Sequence, residues 1–226
     1  MHSHLLAGVD DGAPDIETAK RLIDGLKSMG YTQLITTPHI YKEVYPNTPE
    51  ILEPAYRLLL ASLEENDIRI RYAAEYFLDD YVGDLLEKKQ ALLTIHDNWV
   101  LVETSFVQPT LDLNRRLFDL QVAGYKPVLA HPERYAYWHQ DKQALHSFQD
   151  NGVLLQVNLL SLAGYYGKQV AESARYLVKE GLVDLVGTDC HHERHVAALR
   201  KEAGVILKAL DPLLRKDRLL NPLLGR

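Results

Sequence analysis

The stretch that decides the fold is residues 182–192, LVDLVGTDCHH. It begins as an apolar run and closes on Asp189, His191 and His192. A run this short, bounded by turn residues, reads as a buried strand. Five more runs follow the same plan: TQLITTPH (32–39), IRIRYAAEYF (68–77), NWVLVETSF (98–106), KPVLAHPERY (126–135) and GVLLQVNLL (152–160). They carry His39, Glu75, Glu103, His131 and Asn158 at or near their C-terminal ends. A seventh strand is expected at the N-terminal His-x-His, His2 and His4.

Amphipathic stretches lie between the runs. Asp15 is the expected cap of a helix reaching Met29, with Ile16, Ala19, Leu22, Ile23, Leu26 and Met29 on one face and Gly30 at its end. Thr48 and Pro49 open a second helix through TPEILEPAYRLLLASLEEN (48–66), where Pro54 falls late in the first turn or kinks the helix. Further helices are predicted over 112–125, 141–152, 167–181 and 195–210. Alternating strands and helices imply right-handed βα units and a parallel sheet. The alternation alone leaves an open sheet and a closed barrel equally available. The least regular stretch, IYKEVYPN (40–47), is expected to be a loop over a site.

In a parallel βα fold the C-terminal strand ends share one face, and active sites form there. That brings together nine candidate ligands: His2, His4, Asp11, His39, Glu75, Glu103, His131, Asp189 and His191. Mixed imidazole and carboxylate donors suit divalent transition metals. Nine donors exceed the need of one ion and suit two or three, with Glu75 as a bridge. A lone strand-end histidine is ordinarily a hydrogen-bonded structural residue. Repetition at successive strand ends is different, because so many buried ionisable groups are costly unless something pairs them. His96 and His146 read as surface or helix residues; His192 and His195 follow the last ligand and either line the site or, as the favoured reading, are solvated helix positions.

The bulk numbers bound the rest. A chain of 226 residues, 46% apolar and 25% charged, fits one domain over 1–226. The net charge of −6, with no basic run, argues against nucleic-acid binding. No apolar stretch reaches membrane-spanning length and no signal peptide precedes the first motif, so a cytoplasmic protein without membrane insertion is expected. Cys190 stands alone, which excludes a disulfide within the chain. Tyr41 and Tyr45, with Phe77 and Phe106, either wall a substrate ring or pack the rim of the fold.

HSHLLAGVDDG (2–12), TPH (37–39), AAEYF (73–77), LVETSF (101–106), LAHPERY (129–135), QVN (156–158) and GTDCHH (187–192) together resemble the polymerase and histidinol phosphatase (PHP) superfamily over nearly the whole chain. Within it the sequence is most similar to the bacterial metal-dependent protein-tyrosine phosphatases of capsule and exopolysaccharide operons. The resemblance implies a distorted seven-stranded β/α barrel with its metal site at the C-terminal strand ends. It implies one ion held by His2, His4, Glu75 and Asp189, a second by Glu75, Glu103 and His131, and a third by Asp11, His39 and His191. Manganese is the expected ion, with iron, zinc and magnesium as alternatives. Arg134 matches the family arginine that grips phosphate, and turnover is expected to depend on Arg134, His39 and Asp189. Arg194 stands near a second family arginine. Only Met1 precedes His2, where the family has a short strand, so the first strand is expected to be shortened.

The substrate implied is a phosphotyrosine protein resembling the tail of a bacterial tyrosine autokinase. Histidinol phosphate or another small phosphomonoester is the alternative, and DNA end processing sits poorly with the acidic charge. A cysteine-dependent mechanism is excluded, because it needs Cys, five residues, then Arg, and Val196 occupies that last position. Oligomeric state is left open.

Overall fold

Side chains alternate across a strand, so a strand covered on both faces buries two different rows. In β5 (Trp99–Glu103), Val100 and Val102 join a large cluster with the surrounding helices, while Trp99 and Leu101 join a smaller one. The smaller cluster also takes Ile35, Ala73, Val128, Ala130, Leu154 and Leu185. These come from β1 (Gln33–Thr36), the end of β3 (Arg69–Tyr72), β6 (Lys126–Ala130), β7 (Leu154–Asn158) and β8 (Leu185–Gly187). The strands therefore curve around a second, inner core.

The computed structural model describes residues 1–64 and 68–225. All strand pairs in it are parallel, as the alternation required. With β2 (His39–Ile40) and β4 (Glu75–Phe77) included, the strands form a six-stranded sheet in the order β2-β4-β5-β6-β7-β8 and a two-stranded sheet of β1 and β3. This differs from seven continuous strands. The run 32–39 breaks because Pro38 has no N–H to donate, and 68–77 breaks opposite it at Ala73 and Ala74. Hydrogen bonds still cross the break, from Ala73 N to Thr36 O and from Glu75 N to Pro38 O.

The N-terminal segment makes one isolated bridge, Ser3 to Cys190. Its backbone nevertheless bonds on both sides. His4 N donates to Cys190 O and Asp189 N to His2 O at 2.9 Å each, while Thr37 N donates to Ser3 O at 2.7 Å. Residues 1–4 thus lie between the end of the last strand and the end of the first.

Helices cover the outer face: α1 (Ile16–Lys27), α2 (Pro49–Ala61), α3 (Asp80–Glu87), α4 (Leu113–Val122), α5 (Lys142–Asp150), α6 (Leu159–Leu162), α7 (Lys168–Glu180) and α8 (Glu193–Leu214). Asp15 caps α1 by accepting from Thr18 N, and Ala19, Leu22, Ile23 and Leu26 are its buried stripe. Pro54 lies inside α2, and the expected end of that helix at Glu65 and Asn66 falls outside the described residues. Helix α3 was not expected. Asp79 caps it through Tyr81 N and Val82 N, and Gly83 masks its helical pattern. The C-terminal tail closes the lower end of the inner core. Leu220, Leu223 and Leu224 pack there, and Leu224 O accepts from Gln33 Nε2 and Arg71 Nη2.

Thr36 ties the N-terminal segment in. Its buried hydroxyl accepts from Leu5 N at 2.9 Å and donates to Ser3 O at 3.0 Å. Ser3 O keeps Thr37 N if the hydroxyl is lost, but Leu5 N does not keep a partner. Thr36→Val should therefore destabilise by about 1–3 kcal/mol, the cost of one buried unpaired donor. For a chain of this size that is a fall in Tm of roughly 2–10 °C. Thermal unfolding of the metal-free protein checks this, and an unchanged Tm would show that the segment is held by other contacts.

Candidate metal centre

The inner row is apolar below and polar above. Continuing each strand by the same alternation places Glu75, Glu103, Gln156 and Asn158 on the inner face above the apolar layer. Glu75 is the hub. It is fully buried, and its Oε2 lies 3.2 Å from His2 Nε2, 3.5 Å from His4 Nε2 and 3.2 Å from His39 Nδ1. Its Oε1 lies 3.0 Å from His131 Nε2. Asp189 Oδ1 stands 3.3 Å from His2 Nε2, 3.6 Å from His4 Nε2 and 3.4 Å from His191 Nδ1. Glu103 Oε1 is 3.0 Å from His39 Nδ1. Asp11 Oδ1 is 3.5 Å from both His39 Nε2 and His191 Nε2. All nine sequence candidates are thus in one cluster.

The backbone is bent to achieve this. His2, His131 and Asp189 have φ of 60°, 36° and 48°, in the left-handed region that non-glycine residues ordinarily avoid. Two glycines make room. A Cβ on Gly187 would meet Gln156 Nε2 at 2.7 Å and the His2 Cβ at 2.9 Å, and one on Gly12 would meet His4 O at 2.3 Å.

Neighbours fix the rings. Gln156 Oε1 takes His2 Nδ1 at 2.6 Å, and Asp10 Oδ2 takes His4 Nδ1 at 2.7 Å. With Nδ1 donating in both, the Nε2 lone pairs face the cluster. Gln156 Nε2 donates to Asn158 Oδ1, and Asn158 Nδ2 donates to Asp189 Oδ2 at 2.7 Å. Arg134 Nη1 donates to the same Oδ2 at 2.9 Å, which leaves Oδ1 turned to the imidazoles. Sequence reasoning missed Asp10 and Gln156. The paired aspartates of GVDDG and the QVN strand were the available signals.

The donor set fits divalent ions. His2 Nε2, His4 Nε2, His39 Nδ1 and Glu75 Oε2 are buried atoms with no hydrogen-bond partner. Four groups of mutually close donors occur among the described residues: His4, Asp11, His39 and His191; His2, His4 and Asp189; His2, Glu75 and His131; His39, Glu75 and Glu103. Imidazole nitrogens and carboxylate oxygens aimed at shared points, with their outer atoms held by other groups, are what a metal site requires.

The electrostatics agree. Burial pushes the Glu75 and Asp189 carboxyls up, but the facing imidazoles, His2 foremost, hold both well below the ordinary range. Burial pushes His39 and His191 down, but the carboxylates outweigh it and raise them to about 10 and about 9. Cys190 is pushed up to about 12 by burial and by Asp189, so it is a thiol packed in the core.

The cluster opens into a cavity of about 260 Å³ lined by Asp11, His39, Glu103, His131, Asp189 and His191, together with Phe106, Arg134, Tyr166, His192 and His195. A larger groove of about 1030 Å³ lies between α3 and α4, lined by charged and apolar side chains alike, but it holds none of the nine donors. The smaller cavity is where chemistry can occur. Arg134 reaches it, with its guanidinium 4.9 Å from the Phe106 ring centre and 4.5 Å from that of Tyr166. His195 is buried, not solvated as expected, and its Nδ1 accepts from His191 N.

Three expected substrate contacts are not among the residues that line this cavity. Arg194 is exposed on the first turn of α8 and does not line the cavity. Tyr41 and Tyr45 do not line it either. The loop folds back through a Tyr41–Tyr45 bridge, which stacks Tyr41 on Phe77 and Tyr45 on His39.

A parallel βα fold carrying a cluster of imidazoles and carboxylates at its strand ends belongs to the metal-dependent hydrolase class. More particularly, the chain belongs to the CpsB/CapC family of capsular polysaccharide synthesis, whose pattern matches residues 1–211. It is 30% identical to the tyrosine-protein phosphatase YwqE of Bacillus subtilis over 92% of this chain and 83% of that protein. It is 27% identical to the tyrosine-protein phosphatase CpsB of Streptococcus agalactiae, over 85% of this chain and 82% of that one. A solved structure from work on YwqE and on CpsB of Streptococcus pneumoniae, described as metal-dependent tyrosine phosphatases, superposes with a TM-score of 0.79 at 29% identity, covering 93% of this chain and 90% of that one.

Two outcomes follow. Asp10→Ala should lower divalent-ion affinity about 10–100-fold, as loss of an outer partner of a ligating histidine does. Titration against a chelating indicator measures it, and unchanged affinity would mean that His4 keeps its orientation without Asp10. The second concerns protons. At pH 7 the metal-free protein holds His39 and His191 as imidazolium, because about 10 and about 9 both lie above 7. Ligation needs the neutral ring, so ion binding should release roughly two protons from these residues and weaken as pH falls. The stability that these charged rings give the metal-free state is complete below about 6.5 and is lost as pH rises through about 9 to 10. Calorimetry in buffers of different ionisation enthalpy counts the protons, and a count of zero overturns the assignment.

Proposed function

We propose that the protein is a metal-dependent phosphomonoester hydrolase acting on phosphotyrosine in proteins, in the context of capsular or exopolysaccharide synthesis. The observation that carries this reading is the juxtaposition of nine donors with a fixed arginine at the mouth of one cavity. The relatives' names support tyrosine dephosphorylation over the small-molecule alternative, histidinol phosphate.

His2, His4, Glu75 and Asp189 would hold one divalent ion, Glu75, Glu103 and His131 a second, and Asp11, His39 and His191 a third. Two or three ions, manganese foremost, match this mixed N/O ligation. Bound ions supply an activated water as nucleophile and charge to offset that on the phosphoryl oxygens. The chain's own part is to place the ester. Arg134 is locked by Asp189 and by two ring faces, so its remaining N–H groups face the cavity already oriented for phosphoryl oxygens. A departing phenolate, with a parent pKa of about 10, leaves without a strong general acid.

Phosphatase chemistry through the single cysteine is not part of this reading, because a thiol held at about 12 is a poor nucleophile at neutral pH. The phosphotyrosine source proposed is the tail of a bacterial tyrosine autokinase, and the location proposed is cytoplasmic. No helix among the described residues is long and apolar enough to cross a membrane. We also read the two sheets as one wall, closed through residues 1–4 into a distorted seven-stranded barrel.

The test is hydrolysis of a phosphotyrosine peptide beside histidinol phosphate, with metal content measured on the same sample and EDTA as control. Peptide turnover abolished by EDTA, and by His39→Ala or Asp189→Ala with loss of metal, is the expected result. Turnover confined to histidinol phosphate would move the protein to the small-molecule branch. Full activity in either variant would sink the metal assignment.

A further inference from the structure

The loop after β5 is built to hold an aromatic ring at the cavity mouth. Its base is pinned: Thr104 N donates to Tyr135 Oη at 3.1 Å, Tyr137 Oη donates to Ser105 O at 2.8 Å, and the Thr104 and Thr110 hydroxyls pair at 3.0 Å. Phe106 follows directly. Its ring lies against Tyr135 and His131, with centroids 5.0 and 5.5 Å apart, and against the Arg134 guanidinium. The ring is nevertheless 44% exposed, although burial of a phenylalanine is favourable.

The other aromatic side chains offer less. Tyr166 also lines the cavity, but its hydroxyl is buried and its ring backs Arg134. Tyr41 stacks on Phe77, and Tyr45 stacks on His39, itself a lining residue. Among the described phenylalanine, tyrosine and tryptophan residues, Phe106 both lines the cavity and carries substantial open surface. The cavity, at about 260 Å³, is smaller than the usual pocket for a whole drug-sized ligand and suits a phosphorylated head group. The next residue, Val107, is 88% exposed, so the rim does not wall off a ring presented by a protein surface.

We propose that Phe106 is the residue that selects aryl over alkyl phosphate esters, by stacking on the substrate's ring while Arg134 holds its phosphoryl group. The inference rests on the phosphatase reading above and goes beyond it by assigning the specificity to one side chain. An aromatic pair contributes about 0.5–1.5 kcal/mol beyond area burial, which is roughly a two- to twelve-fold effect on binding.

The experiment compares wild type, Phe106→Leu and Phe106→Tyr, each loaded with manganese and checked for metal content. Two readouts are taken: KM and kcat for a phosphotyrosine peptide, and inhibition constants for phenylphosphonate and methylphosphonate. In Phe106→Leu, KM for the peptide and the inhibition constant for phenylphosphonate should rise about 2–12-fold. Methylphosphonate inhibition should weaken clearly less than phenylphosphonate inhibition, the shared part being the loss of one ring face from Arg134. Phe106→Tyr should restore the wild-type preference. Equal weakening of both phosphonates, or no change in either, overturns the proposal while leaving the phosphatase reading intact. A wild type that is inert toward the peptide overturns both.

Discussion

One buried carboxylate sets the terms for the rest of the molecule. Glu75 has no exposure, and its Oε2 has no hydrogen-bond donor, yet three imidazole nitrogens stand within 3.5 Å of it. Removing a charge from water costs several kcal/mol unless it is paired. Without ions the compensation comes foremost from the His39 imidazolium, which Glu75 and Glu103 raise to about 10 against the effect of burial. On the proposed reading, ions take over that role. The left-handed residues and the glycines at 12 and 187 are the conformational cost of bringing imidazoles this close to one carboxylate.

The inner layer explains how such a centre coexists with a stable fold. Below it, Leu101, Val128, Leu154 and Leu185 pack against the C-terminal leucines in an apolar layer. Above it, the next inward positions on the same strands are Glu103, Gln156 and Asn158. The apolar layer fixes the strand spacing, and the polar layer inherits it. Gln156 and Asn158 then link His2 to Asp189 and Arg134 through a continuous run of hydrogen bonds.

The parts legible in the sequence were those that follow from topology. Parallel βα units bring strand ends together whatever the sequence separation, so Glu75 and Asp189 were found without knowing any distance. The same rule is silent about loops. Tyr41 and Tyr45 were placed by proximity in sequence, but a back-folded turn directs them to Phe77 and His39. Arg194 was placed by its neighbours, but the helix beginning at Glu193 turns it to solvent. Asp10 could not be told from Asp11, because adjacent carboxylates differ only in direction, and the chain turn at Gly12 sets that direction. The break at Pro38 was visible as a residue, but its effect on the opposite strand was not.

The N-terminal segment has the weakest local support and two of the key donors. It belongs to no helix or named strand, and its backbone bonds run to Thr188, Asp189 and Cys190 on one side and Thr36 and Thr37 on the other. Its histidines meet Asp189 from the last strand and Glu75 from the early ones. An ion shared by those four side chains would join the two ends of the strand order. A ligand that binds only this closed arrangement stabilises it by about 2.7 kcal/mol at a hundredfold excess over its dissociation constant. That is comparable to several of the segment's own hydrogen bonds, each contributing about 1 kcal/mol net. On this reading the metal centre would also help to fasten the start of the chain, in addition to the segment's own hydrogen bonds.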